Sequence, residues 1–229
     1  MTGVQTCALP ISNKEKRPPV KESVGALRYC FDIDDENGQY TGTYDTDIIV
    51  TKVAKSVKMT ENGDNVSVYA SGEEYDSVSS VSSIDNEVEA VAFPADDLAK
   101  MRGDEVTDTG LIIRGGSRNR PFFAFGKTVK LRNGKERWLW YPKCKLLSNT
   151  DDTNTKEESF SEQNDTITIR AYPFDEKGQN VVVEFDTSVK TIEGLTEDKF
   201  FNQVLTGDDD FKKITTQSSK SGKPVNAGA

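Results

Sequence analysis

The chain has 229 residues, 34% of them hydrophobic, which suits one packed domain with extensions or at most two small ones. Its 38 acidic side chains against 29 basic ones leave a formal net charge of -9, which excludes tight wrapping of nucleic acid, because neutralising phosphates requires a basic surface. Histidine is absent, and with it every Ser-His-Asp or Cys-His arrangement and the commonest metal ligand.

No stretch approaches the roughly 20 consecutive apolar residues of a membrane-spanning helix, so no membrane partner is expected. Ala8 to Ile11 is too short an apolar run for a secretion signal, and Lys14, Lys16 and Arg17 follow it instead of preceding it. Thr2 to Ser12, TGVQTCALPIS, resembles a translated sequencing adapter fused in frame. Lys14 to Ser23 is charged and contains Pro18 and Pro19, so residues 1–23 are read as that artefact plus an extended arm. With Cys7 set aside, Cys30 and Cys144 stand in apolar or aromatic segments without CxxC or Cys/His spacing, and are read as buried free thiols.

The first strand signal is Ala26 to Ile33, where Leu27, Tyr29, Phe31 and Ile33 share a face, the pattern of a half-buried strand. Asp34 to Thr46 is a turn cluster with Asn37-Gly38 and Gly42. Strand signals resume over Ile48 to Met59, and a turn at Asn62-Gly63 precedes Val66, Val68 and Tyr69. Tyr75 to Ile84 is rich in Ser and Val and reads as a long exposed loop or edge excursion, the kind of segment that carries contacts. Glu87 to Phe93 alternates until Pro94 stops it. Ala95 to Met101 then reads as a helix, with Asp96 and Asp97 in the first turn and Gly103 past the end.

Leu111 to Arg114 is a short strand ahead of a Gly115-Gly116-Ser117 turn. The clearest hairpin joins Pro121 to Leu131 with Arg137 to Leu147 across Asn133-Gly134. Asn149 to Glu158 is a polar loop, and Asp165 to Tyr172 is paired with Val181 to Phe185 across Glu176 to Gln179. Thr196 caps a helix running to Leu205 with Phe200, Val204 and Leu205 on one face. After Gly207 the chain is polar and frays, so 207–229 is read as a flexible tail and 24–206 as the domain. The fold class is mainly β: an antiparallel sandwich or barrel with one or two short flanking helices.

The search for chemistry leaves no catalytic, cofactor or metal residues. Scattered carboxylates select no catalytic pair. Asp32 to Gly38 fails as a calcium loop, since Gly falls at position seven instead of six and Thr43 stands where a bidentate Glu belongs. Asp208 to Asp210 is a charge run. Arg114, Arg118 and Arg120 beside Gly115-Gly116 read as a subunit-contact loop rather than a phosphate grip. Trp138, Trp140 and Tyr141 are expected to pack in a core or interface; exposed in a groove, they would instead support a virion-surface or cell-wall carbohydrate-binding module. A carboxylate-dependent hydrolase is the weakest reading.

The order of segments resembles the major tail protein family of long non-contractile-tailed bacteriophages of Gram-positive bacteria. The resemblance runs through Gly25 to Phe31, Ser67 to Tyr75, Asn86 to Met101, Pro121 to Gly126, Arg137 to Cys144 and Asp165 to Ala171, covering most of Val24 to Leu205. It implies a tail-tube subunit, a β-sandwich flanked by a helix, that forms hexameric rings whose inner strands join in one barrel and that stack into a tube. It also implies that the Tyr75 to Ile84 region, with Tyr75, Val78, Val81 and Ile84, and the Lys14 to Ser23 arm bridge neighbouring rings. Expected partners are copies of itself, tape-measure and tail-terminator proteins, and double-stranded DNA in transit, in a virion assembled in the host cytoplasm. A carboxylate-rich lumen would repel the genome. The positions opposite the apolar set, Lys52, Lys55, Glu87 and Glu89, are where lumen charge would be sought first.

Overall fold

The computed structural model describes residues 17–33, 38–70, 73–115, 119–151 and 164–220, and the side chains of these except 64–79 and 217–220. In chain order the elements are β1 (Lys21–Phe31), β2 (Ile49–Thr51), β3 (Ala54–Ala70), β4 (Glu73–Ala90), α1 (Ala95–Arg102), β5 (Glu105–Val106) and β6 (Ile112–Ile113). Then come β7 (Phe123–Leu131), β8 (Glu136–Asp151), β9 (Asp165–Ala171), β10 (Val183–Asp186), α2 (Glu197–Phe200) and α3 (Asp208–Lys220). The fold is mainly antiparallel β, as its alternating segments predict, with three short helices among the described residues.

One sheet runs in the order β2-β1-β7-β8-β9-β4-β3, with β10 added to β8, while β5 and β6 form a separate pair. The sheet bends until its halves face each other. Lys127 on β7 reaches Asn86 on β4 at 2.8 Å, and Tyr141 on β8 reaches the Met59 sulfur on β3 at 3.2 Å, although neither pair of strands is adjacent in the sheet. Between the halves lies the main core, with Leu27, Tyr29, Val88, Phe125, Tyr141 and Ile167 all fully buried. Burying each such side chain contributes on the order of 1.5–3 kcal/mol before the entropy of ordering is set against it.

A second apolar cluster covers the outer face of β7 and β8. Trp138 and Trp140 meet Phe200, Phe201, Leu205 and Ile214 there. The Trp140 and Phe201 rings lie 5.2 Å apart, edge to face, and a Cβ at Gly126 would sit 2.8 Å from Phe201. Gly126 therefore lets the ring settle on the sheet. Arg28, only 5% exposed, stacks 4.2 Å over Phe201 and donates to Glu197 at 2.8 Å; Thr128 donates to the same carboxylate at 2.6 Å. The Thr196 side chain caps α2 by accepting from the Lys199 amide.

Several expectations are corrected. The first strand starts at Lys21, paired with Leu131, so Lys21 to Ser23 belongs to the sheet and not to an arm. Its Leu27 to Phe31 stretch is buried on both faces, because α2 and the 44–45 segment cover the side that alternation assigns to solvent. For Tyr75 to Ile84 the loop alternative fails and the edge excursion holds: the segment lies inside β4, paired with β3, and runs beyond the strand β9. Asn62-Gly63 makes no turn but a register shift within β3, where a Cβ on Gly63 would stand 2.1 Å from the Ser80 carbonyl oxygen. β10 pairs with β8 and not with β9, whose two edges are already taken by β4 and β8. The predicted helix to Leu205 is a single turn ending at Phe200, and the predicted fray after Gly207 is instead α3, whose Asp208, Asp209 and Asp210 suit the helix dipole.

Other expectations match. Asn133-Gly134 turns β7 into β8 with Gly134 at φ 73°, and α1 ends at Gly103 in the left-handed region. Cys30 and Cys144 are buried free thiols. Residues 1–16, most of the 149–158 loop, and 221–229 lie outside the described residues.

Candidate interaction surface

β4 engages β9 only from Ile84 onward, whereas its pairing with β3 continues through Ala70 and Glu73. Asp64–Ala70 and Glu73–Ser80 therefore form a two-stranded ribbon that pairs with no other strand among the described residues. At about 3.4 Å per residue its seven-residue arm reaches roughly 24 Å beyond the sheet. A lone hairpin of this kind is marginal in water and gains stability by packing on something else.

The predicted contact residues distribute unevenly. Tyr75 and Val78 belong to the ribbon, with Val78 opposite Val66, and their side chains lie outside the described set. Val81, at the ribbon base opposite Gly63, is 41% exposed. Ile84 is 3% exposed and belongs to the main core. Arg114 follows β6 and stands 3.8 Å from Asp104, whereas Arg120 donates to the Leu146 and Leu147 carbonyls at 2.6 and 2.7 Å, tying the segment before β7 to β8. Arg118 lies outside the described residues. Arg114 and Arg120 are thus held by different elements.

The face of β3, β4, β9 and β8 that points away from the core is polar. Glu89 stands between Ser56 and Thr166, Glu87 between Lys58 and Thr168, and Asp85 between Thr60 and Arg170, with Ser148, Thr150 and Lys145 alongside on β8. Arg170 grips Asp85 with two hydrogen bonds of 2.7 and 2.8 Å, which hold that carboxyl below its usual range. Three carboxylates and three cations share this face, so it is hydroxyl-rich and charge-balanced. Glu87 and Glu89 lie on it; Lys55, one position from Ser56, lies on the opposite side with Val57, and Lys52 sits between β2 and β3.

Trp138, Trp140 and Tyr141 form no exposed platform. They are 4%, 0% and 0% exposed, with the tryptophans in the outer cluster and Tyr141 in the main core. That removes the feature on which a carbohydrate-binding reading depended.

Sequence reasoning passed over two residues. Lys127 occupies an inward position in the series Phe123, Phe125, Lys127, Val129, Leu131, and Asn86 occupies one between Ile84 and Val88; both are buried. A charged or amide residue breaking a strand's apolar alternation was the available signal.

No protein-family model matches the chain, and no curated protein does. Among solved structures, a chain of the anti-feeding prophage baseplate, determined by cryo-electron microscopy, is similar over 75% of this chain and 97% of its own length, at 7% sequence identity and a TM-score of 0.39.

Proposed function

We propose that the chain is a structural subunit of a bacteriophage tail tube, assembling into stacked hexameric rings around a lumen through which double-stranded DNA passes without specific binding. The observation that carries the reading is the β3–β4 ribbon, a long two-stranded arm that gains by docking on a neighbour and lies where the sequence resemblance puts the contacts between rings. β2 and β3 end the strand order, and pairing between subunits would satisfy their outer edges. The polar face of β3, β4, β9 and β8 is suited to the lumen: its balanced charge offers a phosphate backbone no net attraction. In this reading the work is mechanical and no bond is made or broken. Tape-measure and terminator proteins would bound the tube, which forms in the host cytoplasm and ends in the virion.

The test is negative-stain electron microscopy with light scattering on the chain from Asn13 onward, over rising concentration and with a tape-measure segment added. Rings or open-ended tubes are the expected result. A monomer under every one of these conditions would overturn the proposal.

A further inference from the structure

Where β1, β3, β7 and β8 meet at one end of the sandwich, a cavity of about 330 Å3 opens between the two halves of the sheet. This is within the lower part of the range of small-ligand pockets, about 300–1,000 Å3. Its lining is part apolar, with Val57 and Met59 on one side and Val129 and Leu139 on the other, and part charged, with Lys21, Glu22, Lys55, Arg137 and Glu184 besides Lys127. The deepest charged group is Lys127, only 4% exposed.

Lys127 is sparsely coordinated for a buried ammonium with three donor hydrogens. The ammonium donates to Asn86 Oδ1 at 2.8 Å and forms no ion pair among the described residues. Asn86 Nδ2, on a fully buried side chain, lacks a partner of hydrogen-bond geometry. The Tyr141 hydroxyl is directed at the Met59 sulfur, a weak acceptor, at 3.2 Å, and its ring lies 5.3 Å from the Lys127 nitrogen. The ammonium thus has one hydrogen-bond acceptor and no carboxylate in contact, although Glu184 lines the same cavity, and a buried cation so little compensated is costly. A group that brings acceptor oxygens and one negative charge would complete the coordination of the ammonium.

We propose that this cavity binds a small monocarboxylate with an apolar body, its carboxylate on the Lys127 ammonium and its hydrocarbon part against Val57, Met59, Val129 and Leu139. Val57, Met59, Val129 and Leu139 offer contact to an apolar body, which inorganic phosphate lacks. Burial lowers Lys127 to about 8, which leaves the ammonium mostly charged at pH 7. The proposal stands independently of the tail-tube reading.

Calorimetry on the full chain at pH 7 tests it with three probes: octanoate, octanol, which has the body without the charge, and inorganic phosphate, which has charge without the body. Octanoate should bind at one site per chain, and the other two should show at least ten-fold weaker binding. K127M should weaken octanoate at least ten-fold. Because that variant alters a buried network, V57F provides a second arm: it fills the wall, leaves Lys127 in place and should also abolish binding. No binding of octanoate to the unmodified chain, equal binding of octanol or phosphate, or undiminished binding to a folded K127M or V57F would each overturn the proposal.

Discussion

Arg28 and Glu197 are 169 positions apart, yet they decide how the C-terminal third sits on the sheet. The guanidinium is nearly fully enclosed, stacked on Phe201 and bonded to a carboxylate that also accepts from Thr128. Converting Glu197 to Gln leaves Arg28 buried with a neutral partner. We expect a loss of about 2 kcal/mol, within the usual range for hydrogen bonds to charged groups, read as a lower urea midpoint with an unchanged slope. An unchanged midpoint would mean that Phe201 stacking alone holds α2.

The buried phenols and thiols act at the same scale. Burial raises Tyr29, Tyr44, Tyr141 and Cys144, with a hydrogen bond to Asp97 adding to the effect at Tyr29. Cys30 is pushed up to about 11 for the same reason. The folded state therefore keeps protons that the unfolded chain releases near its ordinary values of 9 for Cys and 10 for Tyr. Stability from these groups is complete below those values and is lost progressively as pH rises from them toward the raised folded values. Lys127 works in the opposite direction: with its folded value lowered from 10.5 to about 8, its contribution improves across that interval. Tyr40 is raised by burial as well, so the raised groups outnumber Lys127 and set the net sign. Tyrosinate absorbance should therefore rise in one step with loss of the circular dichroism signal above about pH 10; absorbance that climbs while the fold persists would contradict this.

Among the elements, the β3–β4 hairpin divides into a part the sandwich needs and a part it does not. β9 pairs with β4 from Ile84 to Ala90, so the core is closed without the ribbon. Replacing residues 64–79 by a two-residue Asn-Gly turn should leave a folded subunit, with a melting temperature within a few degrees of the parent, that forms no stacks. A shortened chain that still builds tubes would show that the ribbon is not the bridge. β8 presents a different division. Its Arg137 to Trp140 stretch lies between β7 and β10, and Cys144 to Asp151 pairs with β9, so one long strand joins both halves of the sandwich. Its alternation is broken at the register shift between Leu146 and Ser148, which is why Leu147 is 42% exposed.

For the molecule as a whole, the net charge of -9 sets like-charged subunits against one another while the polar face stays balanced. Screening shortens that repulsion to about 10 Å at 0.1 M salt. In the tail-tube reading, ring formation followed by light scattering should therefore be faster at 150 mM than at 10 mM sodium chloride. The reverse order would mean that complementary ion pairs between subunits outweigh the net repulsion.

Alternation and turn chemistry by themselves determined the β class, the Asn133-Gly134 hairpin, α1 with its Gly103 stop and the burial of Cys30 and Cys144, because each depends on neighbours a few positions away. Polar composition left Tyr75 to Ile84 open between a loop and an edge excursion, since pairing with β3 satisfies that backbone whatever its side chains are. Only the tertiary structure decided that β10 joins β8, that Phe211 and Ile214 anchor a helix in a polar stretch, and that Lys127 and Asn86 meet inside the sandwich. Those outcomes depend on which strand edge remains unpaired and which faces the bent sheet brings together. Both are properties of contacts between residues far apart in the chain, which no local pattern encodes.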